Sequence, residues 1–165
     1  MKRNFVYIII CLSLLSSCNY FTDDFFEFLF NTKDIHISRE CSKTPSFFDE
    51  GRSFEVYSMI DVNPNMVKKN IVNKSNFLKS DKYPKYKIPE WEKTPVVNKM
   101  DSVYSFIHSE MIDEKNICFD ENNLITILKQ EGNYYAFLYD NIGRAKLFIW
   151  DVKKKKLFLL TSYEL

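Results

Sequence analysis

The hydrophobic positions change period several times along the chain, and each period names an element. Residues 5–15 form an apolar run in which only Ser13 is polar. In "DDFFEFLF" (23–30), Phe26 with Phe30 and Phe25 with Leu29 are i,i+4 pairs, the spacing of a short helix. Thr22 stands at the N-cap position, and Asp23 and Asp24 suit the positive end of a helix dipole. "DIHISRE" (34–40) alternates Ile35 and Ile37 with polar residues, the pattern of a half-buried strand. A loop marked by Pro45 and Gly51 leads to "SFEVYSMI" (53–60), a second strand with Phe54 and Val56 on one face and Ser58 next along it.

Asn63-Pro64 reads as a helix start, Asn capping and Pro at the first helical position. Val67, Ile71 and Leu78 then share one helix face. Prolines at 84, 89 and 95 mark an extended crossing segment, which Trp91 pins to the core. A second main helix is expected over 96–113, where Val97, Met100, Tyr104, Ile107 and Met111 follow 3-4-3-4 spacing. Residues 121–131 fit either a strand or a short helix capped by Asp120 and ended near Gly132; Leu124, Ile127 and Leu128 favour the helix. "NYYAFLYD", "RAKLFIWD" and "KKLFLLTSYE" are three strands separated by turns at 140–143 and 151–154. The expected class is α+β: an antiparallel sheet with a C-terminal three-stranded meander and two main helices packed on one face.

Lys2 and Arg3 precede the first apolar run, and Ser16 and Ser17 follow it. A basic start, a short apolar stretch and small residues describe a secretory signal peptide. Eleven residues, 5 to 15, fall short of the roughly 20 that span a bilayer, and Asn19, Asp23, Asp24 and Glu27 prevent extension. The tetrad Leu15-Ser16-Ser17-Cys18 resembles the lipobox of bacterial lipoproteins, a resemblance confined to the first 18 residues. It implies a diacylglycerol on the Cys18 thiol, removal of residues 1–17 and acylation of the new amino terminus. Two or more chains, at ~0.8 kcal/mol per buried methylene, make a stable anchor. Asn19 in place of Asp implies, by the same resemblance, the outer membrane, periplasmic or surface-facing. "TDDFFE" (22–27) also looks somewhat like the acidic tags of surface-exposed lipoproteins. The expected organisation is a signal peptide (1–17), a lipidated N-terminus and tether (18–33), and one globular domain (34–165). Because residues 19–33 are acidic, packing on the domain is favoured over lying among headgroups.

Loss of the leader removes two basic residues and no acidic ones, so the net charge of +1 becomes −1. Such a balance gives no electrostatic case for nucleic acid. Cys11 leaves with the leader and Cys18 is the lipidation site, which leaves Cys41 and Cys118. In an oxidising compartment they are expected to form a disulfide.

Candidate chemistry is sparse. His36 lies between Ile35 and Ile37, so it points away from them, and His108 lies off the apolar stripe of its helix. Neither has neighbours at zinc-ligand spacing. Asp61, Asn63 and Asn65 begin like a calcium loop, but Met66 and Val72 stand where Gly and a bidentate Glu are needed. Only three glycines occur, and neither a phosphate loop nor a G-x-S-x-G elbow is present. No cofactor or metal is expected. Lys153–Lys156 read as a solvated turn that also guards a sheet edge. Tyr135, Phe137 and Tyr139 share one strand face and Tyr134 and Leu138 the other; if both faces are covered, no aromatic platform is left.

These residues favour a non-enzymatic binding protein of the cell envelope, fixed to the membrane by its lipid and engaging a protein partner. An immunity or inhibitor role suits its size. The alternatives are a small hydrolase of envelope polymers using carboxylates such as Glu90, Glu92 and Asp101, and a structural envelope lipoprotein.

Overall fold

The computed structural model describes residues 21–33, 35–43, 52–60, 62–72, 83, 89–97, 100–111, 118–140 and 144–162. The expected leader, Cys18, Asp61 and the 44–51 loop lie outside these residues. So do Leu78, most of the proline-marked crossing and the tip of the 140–143 turn. The elements in chain order are α1 (Asp23–Phe30), β1 (Ile37–Lys43), β2 (Arg52–Met59), α2 (Pro64–Val72), β3 (Glu90–Lys93), α3 (Met100–Met111), α4 (Glu121–Lys129), β4 (Tyr134–Tyr139), β5 (Ala145–Asp151) and β6 (Lys156–Ser162).

The fold is α+β, built on one six-stranded sheet in the order β1-β2-β6-β5-β4-β3, with every neighbouring pair antiparallel. β4, β5 and β6 follow one another, as expected of the last three strands, but they do not stand alone. β3 extends the sheet beyond β4, and β2 pairs with β6 from Arg52↔Ser162 to Ser58↔Lys156.

The two helices at 64–72 and 100–111 do not share a face, contrary to expectation. In β5 and β6 successive residues are apolar and buried, so both sides of each strand need a cover. Phe148, Trp150, Leu157 and Leu159 lie in one core with Val67 of α2 and the buried side of α1. Leu147, Ile149, Phe158 and Leu160 lie in the other, with Val103, Ile107 and Met111 of α3 and Leu124, Ile127 and Leu128 of α4. The result is three layers.

α1 moves the expected boundary of the globular body from residue 34 back to at least Phe21. Phe25, Phe26, Phe28, Leu29 and Phe30 are all buried. Phe26 meets Tyr57 edge-on, and Phe30 stacks on Trp91 with centroids 5.0 Å apart. Trp91 in turn donates its indole N–H to the Leu29 carbonyl at 2.8 Å, which ties the crossing segment to α1. Thr22 occupies the N-cap position but makes no side-chain cap there; its carbonyl accepts from Phe25 N–H at 2.9 Å.

The other helix starts follow local chemistry. Asn63 Oδ1 accepts from Asn65 N–H at 3.0 Å, immediately before and after Pro64 at the start of α2. Asp120 caps α4 by accepting from Asn123 N–H at 2.8 Å, which decides residues 121–129 as helix. Gly132, at φ +89°, turns the chain from α4 toward β4. Val97 is 72% exposed instead of opening the α3 stripe. It precedes the first helical residue, so the 3.6 period does not reach it, and Val96 is buried in its place.

Candidate functional site

Strands that are otherwise apolar carry inward polar residues at one end of the α1-side face. Ser53 of β2 and Lys146 of β5 both stand opposite Thr161 of β6, and all three are buried. Lys146 Nζ lies 3.5 Å from Thr161 Oγ1 and 5.5 Å from the centroid of the Phe21 ring, within the range of a cation–π contact. Glu55, two residues along β2 on the same face, is 5% exposed. It accepts the Tyr57 hydroxyl and lies 3.8 Å from Arg39 Nη1 on β1. Charged groups at this depth persist only with partners, because desolvation is costly. Glu55 and Lys146 sit on strands two apart, on the order of 10 Å, so they are separately partnered and do not form an acid–base couple.

A second set gathers around the β1 edge. β1 carries an irregularity between Arg39 and Cys41, so Glu40 has no place in the regular register. Glu40 accepts from Lys156 Nζ at 2.6 Å and from the Ser58 hydroxyl. The Lys156 and Ser58 bonds hold its carboxyl below the ordinary glutamate range. The next residue, Cys41, has its sulfur 2.00 Å from that of Cys118, with Cα atoms 5.6 Å apart, at disulfide distance. Arg39, Glu40 and Cys41 thus fasten the edge strand to β2, to β6 and to the segment before α4.

The other expected site residues stay apart. His36, just before β1, lies 3.7 Å from Asp23, and His108 Nδ1 on α3 lies 3.2 Å from Glu121; both rings are mostly exposed. Glu90 and Glu92 fall on one side of β3 by the strand period, and Glu92 accepts the Tyr135 hydroxyl at 2.7 Å. Burial and this acceptor push the Tyr135 hydroxyl far up in pKa. Asp101 lies in α3. Among the described residues no three His, Cys, Asp or Glu side chains gather as metal ligands. No helix among them is long and apolar enough to cross a membrane.

Lys153–Lys155 lie in the β5–β6 turn, as expected, but β6 is interior to the sheet, so they guard no edge. The fourth lysine, Lys156, opens β6 and pairs with Glu40. Tyr134 and Leu138 enter the α1-side core, while Tyr135 enters the α3–α4 core with Phe137 packed against it, so both faces are covered along 134–138; Tyr139, at the end of the strand, is exposed. Sequence reasoning missed Ser53, Glu55, Lys146 and Thr161. The available trace is a polar residue at an inward position of an apolar strand, legible only once the register is known. Comparisons with protein-family models, curated proteins and solved structures gave no match to this chain.

Proposed function

We propose that this chain is a lipoprotein of the bacterial cell envelope, anchored through lipid on Cys18, whose domain is a non-enzymatic binding module for a protein partner. Within that class, an immunity or inhibitor role against a delivered toxin is the version favoured, at the outer membrane. The observation that carries it is the tetrad Leu15-Ser16-Ser17-Cys18 at the end of a basic and then apolar leader.

Two structural features support the reading. The pair Cys41–Cys118 at disulfide distance suits an oxidising compartment. The charged groups on the sheet are partnered in ways that fasten strands: Glu55 with Arg39, Glu40 with Lys156 and Ser58, Glu92 with Tyr135.

The anchor is tested by radioactive palmitate labelling and fractionation of cells making the wild type or Cys18→Ala. Label and membrane association should be present in the first and absent from the second; an unlabelled wild type would sink the anchor. The binding role is tested by mixing the purified protein with a candidate toxin from a neighbouring gene. A stoichiometric complex that blocks the toxin supports immunity, and toxin activity unchanged by saturating protein counts against it.

A further inference from the structure

The leash between the proposed lipid and the folded body is very short. Phe21 is three residues after Cys18, and its ring is stacked on Phe25 with centroids 4.2 Å apart. An extended residue covers at most ~3.6 Å, so Cys18 stays within ~11 Å of Phe21 whatever path residues 19 and 20 take. Phe21 belongs to the α1 layer, while α3 and α4 are across the sheet. Helix and sheet thicknesses put the α4 surface on the order of 20 Å further away.

Resting on the lipidation proposed above, we propose that the N-terminal end of α1 lies against the headgroups of the anchoring membrane, which turns α3 and α4 away from the bilayer. What α1 offers outward fits a polar surface contact. Its five apolar residues face the protein, and Thr22, Asp23 and Asp24 are exposed beside His36, which is 3.7 Å from Asp23. The two carboxylates resist insertion into hydrocarbon, so the contact stays at the polar surface of the bilayer. Partners approaching from solution then meet the α3–α4 layer.

The test uses the full chain produced in a Gram-negative host, with the mature form isolated, isotopically labelled and placed in phosphatidylethanolamine–phosphatidylglycerol nanodiscs. A small fraction of headgroups carries chelated gadolinium. Amide relaxation at Thr22–Asp24 and His36 should be enhanced at least threefold more than across α4. Equal enhancement over the whole domain, or the larger effect on α4, overturns the orientation. A twelve-residue Gly-Ser insert after Asn19 adds roughly 20 Å of mean reach and should shrink the contrast; an undiminished contrast also overturns it, since the short leash would not be its cause. Mass spectrometry separates the two claims. A mature protein without acyl chains removes the lipoprotein reading and the orientation together, whereas an acylated protein lacking the contrast removes the orientation alone.

Discussion

Two tyrosines in this molecule should respond to loss of the hydroxyl with opposite signs. Tyr135 is buried and donates to Glu92 at 2.7 Å, so Tyr135→Phe removes one hydrogen bond to that carboxylate. A cost of ~1–2 kcal/mol is expected in urea denaturation. The Tyr104 hydroxyl is buried with no hydrogen-bond partner among the described residues, so Tyr104→Phe removes a desolvated polar atom. It should be neutral or stabilising by up to ~1 kcal/mol, and a clear loss would mean that the hydroxyl has a partner in solution. The pH dependence follows from the same groups. Burial raises the pKa of Tyr104, Tyr134 and Tyr135, with Glu92 adding to the effect at Tyr135. Above about pH 10 the unfolded chain releases these protons and the folded chain keeps them. Stability is therefore complete below about pH 10 and falls as pH rises beyond it, and Tyr135→Phe should flatten that fall. Glu40 works at the acid end. Its lowered pKa gives stability that is present above the ordinary glutamate range and lost as pH falls below it. The pair is more than one-third exposed, so Lys156→Ala should cost well under ~1 kcal/mol, less in high salt.

Among the elements, α1 is the one whose place in the chain is least ordinary for its role. It directly follows the expected lipidation site, where a flexible linker would be ordinary, yet it fills the centre of one core. Phe25→Ala is expected to cost about 3–5 kcal/mol, and a chain beginning at Ile35 should lose cooperative unfolding, read by circular dichroism against urea. A sharp transition in the shortened chain would show that α1 is dispensable. The α4 cap is a smaller case: Asp120→Ala should cost ~1 kcal/mol. Local signals of this kind were legible in sequence, since capping residues, the Pro64 start and strand alternation each act over a few residues. Which face each helix covers was not legible. Both faces of β5 and β6 are apolar, and local periodicity cannot tell which layer takes α2 and which takes α3. The polar row of Ser53, Thr161 and Lys146 was hidden for the same reason: strands 2, 5 and 6 meet only through long-range pairing.

For the whole molecule, the decisive link is the one between β1 and the segment before α4. Cys41 and Cys118 are 77 residues apart, and closing a loop of that length corresponds to about 4 kcal/mol in the chain-entropy model. A domain of this size has a net stability of only about 5–15 kcal/mol, so that link is a large share of the whole. The compartment therefore enters the folding free energy. Chain that reaches an oxidising space can close the bond, while chain held back in a reducing cytosol keeps two thiols and a weaker hold on its outer strand. Cys41→Ser with Cys118→Ser should lower the urea midpoint of the oxidised protein and leave that of the reduced protein nearly unchanged. Equal midpoints for oxidised wild type and double variant would mean that the loop adds nothing. The loss should show first at β1, an edge strand that would be left with its ladder to β2 on one side and the side-chain contacts of Arg39 and Glu40. Amide exchange should accordingly rise in β1 before it rises in β5 or β6, which are paired on both sides.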